Sequence, residues 1–182
     1  MFTIRKARPY IEMLRSQLGE PKRAAEVGVW KGEFSAILLD HFPNLHLLMV
    51  DCYKRYEKDS EDFRMKKKGQ QDFYDAMMTA VDFTSPHADR RIVMVGDSLE
   101  VCQEIKPASL DFVFIDADHC YTSCSADIKA WYPKVRKGGV VSGHDYSRLH
   151  PGVRRAVDEF CGDHKYRLRR LTQCIWWVKK ND

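Results

Sequence analysis

"AAEVGVWKGEFSAILL" (residues 24–39) sets two glycines, Gly28 and Gly32, between a short apolar run and an apolar segment of helical period. The run reads as a buried strand and the segment as a helix, with the glycine turn joining them. Downstream, Pro43 and Asn44 turn the chain into "LHLLMVD", a second apolar strand ending in an acid. The pattern then repeats. "RRIVMVGDS", "LDFVFIDAD" and "GGVVSGHDY" read as the third to fifth strands, separated by helices in "QQDFYDAMMTAVDF", "SLEVCQEI" and "SCSADIKAWYPKV". Upstream, "ARPYIEMLRSQLG" (7–19) carries Tyr10, Ile11, Met13, Leu14 and Leu18 as a helical stripe closed by Gly19. Strands this continuously apolar are covered on both faces, and their alternation with helices predicts a parallel sheet inside two helical layers. After the helix "GVRRAVDEFC", the strands "KYRLRRL" and "CIWWVKK" are separated only by Thr172 and Gln173. A parallel return needs a dozen or more residues, so this last pair must be antiparallel.

The 182 residues, 44% of them hydrophobic, fit one domain spanning 1–182. The first twenty residues mix charges through their apolar positions and lack a signal-peptide core; no stretch approaches a membrane span. The expectation is a soluble, cytoplasmic protein. Six cysteines lie within predicted helices and strands, as free thiols of a reducing compartment would. His119, Cys120 and Cys124 lack the paired spacing of a zinc site. The net charge of +4 is spread along the chain, which does not point to nucleic acid.

Open sheets of this kind bind ligands beyond the carboxyl ends of their strands. Those ends carry Glu26 and Gly28, then Asp51, then Gly96, Asp97 and Ser98, then Asp116 and Asp118, then His144 and Asp145. A dinucleotide site needs GxGxxG, but Trp30 and Lys31 stand where the backbone would have to approach a pyrophosphate. A phosphate-binding P-loop fails too, because Lys31 precedes Gly32 instead of following it. What fits is a nucleoside gripped through its ribose by Asp51, with a small zwitterionic end against the glycine turn. S-adenosylmethionine is such a ligand.

With Glu26, Gly28 and Gly32 as ExGxxxG, Asp51 as the ribose acid and "GDS" at 96–98, the chain resembles class I S-adenosylmethionine-dependent methyltransferases. The resemblance implies a Rossmann-like, doubly wound, seven-stranded α/β sheet, mostly parallel, with a C-terminal antiparallel pair. It also implies that Glu26, Gly28 and Gly32 contact the methionine end, Asp51 the ribose, and Asp97 with Ser98 the adenine. Asp116 is expected to serve the cofactor through its backbone as well as a metal through its side chain.

"FIDADHCYTSCSADIKAWYPKVRKGGVVSGHDY" further resembles the small-molecule and sugar O-methyltransferase branch, whose acids after the fourth and fifth strands hold a divalent metal. By that resemblance the metal ligands are Asp116 and Asp145, with His144 standing where the branch has an acid. An imidazole shifts preference from magnesium toward manganese, iron or zinc. Asp118 is the candidate base by the same analogy. His119 and His144 are candidates because imidazole titrates near neutrality. The expected reaction is O-methylation of a hydroxylated small molecule or sugar.

The charged stretch at about 52–69 reads as a solvated face or as a lid. Tyr146, Arg148 and His150 follow the fifth strand and are placed to line an acceptor pocket. With no extra domain to shape that pocket, a homo-oligomer is expected. Two alternatives stay open: methylation of nitrogen, protein or nucleic acid on the same fold, and a non-catalytic module that binds the cofactor. No Asn-Pro-Pro-Tyr type segment follows the fourth strand, which speaks against base methylation.

Overall fold

A computed structural model describes residues 4–54 and 68–181. The strands are β1 (Arg23–Val27), β2 (His46–Asp51), β3 (Arg91–Val95), β4 (Leu110–Ile115), β5 (Val135–Gly143), β6 (Arg169–Arg170) and β7 (Trp176–Lys179). The helices are α1 (Ile4–Leu18), α2 (Glu33–His41), α3 (Gln70–Phe83), α4 (Ser98–Glu104), α5 (Tyr121–Trp131) and α6 (Pro151–Asp163). They form one sheet in the order β3-β2-β1-β4-β5-β7-β6. Pairing is parallel from β3 to β5, and β7 runs antiparallel to both β5 and β6. The doubly wound architecture with its closing antiparallel pair is as expected. The strand order reverses between β1 and β4, so the ligand crevice lies at their carboxyl ends.

Alternation along the strands divides the core in two. Ala24, Leu47, Met49, Phe112 and Phe114 face α1 and α2, against Tyr10, Leu14, Phe34 and Leu38. Ala25, Val27, Val50, Val113 and Val141 face the other way, against Ile128, Trp131, Val157 and Phe160 of α5 and α6. Burial on both faces keeps the central strands β1 and β4 largely apolar, whereas edge strand β3 leaves Ile92 and Val95 exposed. Tyr10 crosses the first layer to meet Ser142 of β5, whose hydroxyl donates to the Val113 carbonyl at 2.7 Å. Their buried oxygens are thus mutually satisfied.

Several element boundaries differ from the expected ones. Helix α1 begins at Ile4 and contains Pro9 in its second turn. The last two strands are shorter than their apolar runs, because the connection widens to residues 171–175, with Gln173 and Cys174 both at positive φ. Most of the charged stretch, residues 55–67, lies outside the described residues.

Gly162, near the end of α6, would place an added β-carbon in open space and has no positive φ. Gly162→Ala is therefore expected to raise stability by about 0.5–1 kcal/mol, measurable as a higher urea midpoint with an unchanged slope.

Candidate active site

The glycine turn after β1 is shaped by contacts on both sides. Gly28 has φ +89°, and a β-carbon there would stand 2.2 Å from the Asp116 carbonyl oxygen. Gly32 has φ +74° and would meet Ala80 of α3 at 2.8 Å. Gly28 borders the ligand crevice, whereas Gly32 is fixed by helix packing. Glu26 lies below the turn, 2% exposed, accepting a hydrogen bond from Ser35 of α2. Burial pushes its carboxyl well above the usual range. It does not border the crevice.

Asp51 organises the turn. Its Oδ2 accepts from the backbone N–H groups of Val29 and Trp30, each at 2.9 Å, and its Oδ1 from Tyr53 N at 2.9 Å. Burial raises its pKa against the pull of those three donors. A carboxylate offers about four acceptor positions, so Asp51 retains capacity for one more donor.

Beside Gly28 and Asp51 opens a cavity of about 240 Å³ at the switch point. Gly96, Asp97 and Ser98 from the end of β3 form one side, and Ala117 and Asp118 from the end of β4 another. Asp97 is also the N-cap of α4, accepting from Leu99 N at 2.9 Å. Asp97 thus caps α4 and also borders the cavity. Helix α5 adds Ser123, Ala126 and Asp127, which sequence reasoning missed. The signal was present: Cys124, Asp127, Ile128 and Trp131 form the buried stripe of α5, and an acid interrupts it.

The ends of β4 and β5 carry a second cluster. His119 Nε2 lies 2.9 Å from Asp145 Oδ2 and 4.0 Å from Asp116 Oδ1. His144 Nδ1 lies 3.2 Å from Asp145 Oδ1 and 3.6 Å from Asp116 Oδ1. His150 Nε2 approaches Asp145 Oδ1 at 3.6 Å, its ring edge-on to that of His119. Two features assemble the cluster. Asp145 takes a left-handed φ of 58°, with His144 N bonded to Ile115 O and Tyr146 N to Cys174 O on either side. Gly152 lets the start of α6 press on the chain at His119–Tyr121, where a β-carbon would meet His119 O at 2.6 Å. That approach brings His150 in. Cys120, rather than His119, caps α5.

Burial opposes charge on His119 and His144, but their carboxylate neighbours outweigh it and push both up to about 10. The same pairing, against burial, holds Asp116 and Asp145 below the usual carboxylate range. In chelator, these rings therefore hold their protons at neutral pH. A raised histidine pKa stabilises fully below the unfolded value near 6.5, and that contribution is lost as pH rises toward 10. A lowered aspartate pKa stabilises above its unfolded value near 3.8, and that contribution is lost as pH falls. The melting temperature in chelator is expected to peak between these limits and to fall by pH 10; a flat profile would contradict the pairing. Asp118 is held differently, its Oδ2 accepting from Ser123 Oγ at 3.1 Å and Cys120 Sγ at 3.3 Å.

The family model described as a methyltransferase domain matches residues 25–146, from β1 through the cluster at the end of β5. The chain belongs to this family. By that match and its seven-stranded sheet it is a class I S-adenosylmethionine-dependent methyltransferase. Among solved structures it is similar to the O-methyltransferase NovP (TM-score 0.72, 16% identity, covering 98% of this chain and 79% of that one). It is also similar to the O-methyltransferase TomG from Streptomyces achromogenes, solved with S-adenosylmethionine (TM-score 0.70, 16% identity, 100% and 82% covered). A third is the calicheamicin methyltransferase CalS11 (TM-score 0.68, 16% identity, 98% and 80% covered). No curated protein matches the sequence. Among the described residues, no helix is long and apolar enough to cross a membrane.

Proposed function

We propose that this enzyme transfers a methyl group from S-adenosylmethionine to a hydroxyl of a small molecule or sugar. The observation that carries the reading is the adjacency of two sites: the switch-point cavity and the Asp116–His119–His144–Asp145–His150 cluster, joined through the end of β4. The cavity accommodates the donor, with Gly28 beside the methionine end, Asp51 at the ribose, and Asp97 and Ser98 toward the base. Glu26 and Gly32 support the turn from beneath. NovP and TomG are named as O-methyltransferases, and CalS11 as a TDP-rhamnose 3'-O-methyltransferase, which supports an oxygen acceptor.

The reaction forms a bond between the acceptor oxygen and the methyl carbon while the carbon–sulfur bond breaks. The protein's work is to hold that oxygen in line and exclude water. The hydroxyl proton passes to a carboxylate, for which Asp118 is oriented by Ser123 and Cys120. The second cluster also fits a divalent cation. Asp116, His144 and Asp145 have donor atoms within 4.8 Å of one another, as do His119, Asp145 and His150. Imidazoles mixed with carboxylates favour manganese or iron over magnesium. A cation held there would lower the pKa of an acceptor hydroxyl.

Because His119 and His144 hold protons at neutral pH, loading the cluster must release them. Titration with manganese is expected to give heats that depend on the buffer's ionisation enthalpy and to tighten as pH rises. Asp145→Ala should lose that binding while S-adenosylhomocysteine still binds; buffer-independent heats would remove the histidines from the site.

The six cysteines are all free, which supports a reducing, cytoplasmic setting. The test of the acceptor class is product analysis by mass spectrometry after incubation with paired hydroxyl and amino acceptors. Methyl ethers are expected. Exclusive N-methylation, or methylation of protein, would overturn the oxygen assignment.

A further inference from the structure

The least explained charged group in the switch-point cavity is Asp127. It lies on α5, 4% exposed, while Asp97, the acid expected at the adenine, is exposed and committed to capping α4. The Asp127 Oδ1 accepts a hydrogen bond from the Ser98 hydroxyl. Leu99, Ala117 and Ala126 line the same cavity and offer apolar surfaces for a flat ring. An acid this buried costs stability unless its lone pairs are engaged, and one serine hydroxyl meets only one of about four.

We propose that Asp127 is the base-reading residue of the cofactor site: its carboxylate accepts a hydrogen bond from the exocyclic amino group of adenine, with Ser98 holding the other side in register. The inference rests on the cavity being the S-adenosylmethionine site. A donor is the group that this corner lacks. Burial pushes the Asp127 pKa up to about 6, against the Ser98 hydrogen bond and with a further push from Asp97 and Asp118. An amino group placed there relieves the crowding of three acids, whereas the exocyclic carbonyl oxygen of a deaminated base would add a fourth acceptor. The resulting preference for adenine comes from a site that penalises the wrong partner, which discriminates more strongly than apolar contact alone.

The test compares affinities for S-adenosylhomocysteine and S-inosylhomocysteine, in which oxygen replaces the amino group. The unmutated protein is expected to prefer the adenine form by at least about tenfold, from a hydrogen bond to a charged group. Asp127→Ala should bring the ratio close to one. Asp127→Asn keeps the side chain's volume and folding, and it places an amide donor where the inosyl oxygen would lie. Its ratio should fall and turn toward the inosyl form. If the unmutated protein discriminates and both variants keep its full ratio, Asp127 only tethers Ser98 and the inference is wrong. An unmutated protein that binds both ligands equally also overturns it, while leaving the cofactor site in place. Failure to bind either ligand would remove the cofactor reading itself.

Discussion

Asp51→Ala is expected to abolish measurable binding of S-adenosylhomocysteine. The carboxylate has two tasks, and the variant loses both. Toward the protein, it gathers Val29 N, Trp30 N and Tyr53 N, so its removal leaves three backbone donors without their acceptor and frees the turn. That loss should cost about 3 kcal/mol of folding stability, given about 1–3 kcal/mol for a buried polar group left unmet and partial rescue by water. Toward the ligand, it is the acid placed at the ribose. Hydrogen bonds to a charged acceptor are worth about 1.5–3 kcal/mol each, so losing even one well-placed hydroxyl contact together with the turn weakens binding by a hundredfold or more. Calorimetry and urea denaturation of the same preparation separate the effects. A variant that loses stability and keeps its affinity would show that Asp51 builds the turn but does not hold the ribose.

The second large effect belongs to Gly28→Ala. A methyl group 2.2 Å from the Asp116 carbonyl oxygen and 2.7 Å from the Ala117 α-carbon has no flexible side chain to displace; two strands must part. Overpacking of this kind costs about 1–3 kcal/mol, and an alanine at φ +89° about 1–2 kcal/mol more. The expected loss is about 3 kcal/mol or more, a large share of a typical domain's stability of about 5–15 kcal/mol. The same displacement moves Asp116 away from His144 and uncouples the cavity from the cluster. A urea midpoint close to that of the unmutated protein would mean that β1 and β4 are less tightly joined than their register indicates.

Much of this fold is legible in the sequence because it is written in burial on both faces. Five apolar runs alternating with helical stripes leave few arrangements, and the brief break at Thr172 and Gln173 fixes the final antiparallel pair. The strand-end acids are legible for the same reason: polar groups at the ends of buried strands have nowhere else to point. What the sequence hides is set by tertiary approach. Gly32 looks like a ligand contact, yet its missing side chain is explained by Ala80, forty-eight residues on. Whether His119 serves as a helix cap or as a partner of Asp145 depends on how closely α6 can pack, and Gly152 decides that. Histidine near an acid reads as a neutral base in sequence, but two carboxylates shared among three rings turn His119 and His144 into cations. Asp127 was hidden by its setting in an apolar helix stripe, where the neighbouring Cys124 and Ile128 suggest core.

The central claim, that the crevice between β1 and β4 is the methyl-donor site, is tested most directly by a crystal structure of the protein with S-adenosylhomocysteine. A ribose hydroxyl is predicted to lie within hydrogen-bonding distance of Asp51, the homocysteine end beside Gly28, and the base between Leu99 and Ala126 with its amino group toward Asp127. A ligand bound elsewhere, or crystals grown at saturating ligand with the crevice empty, would contradict it.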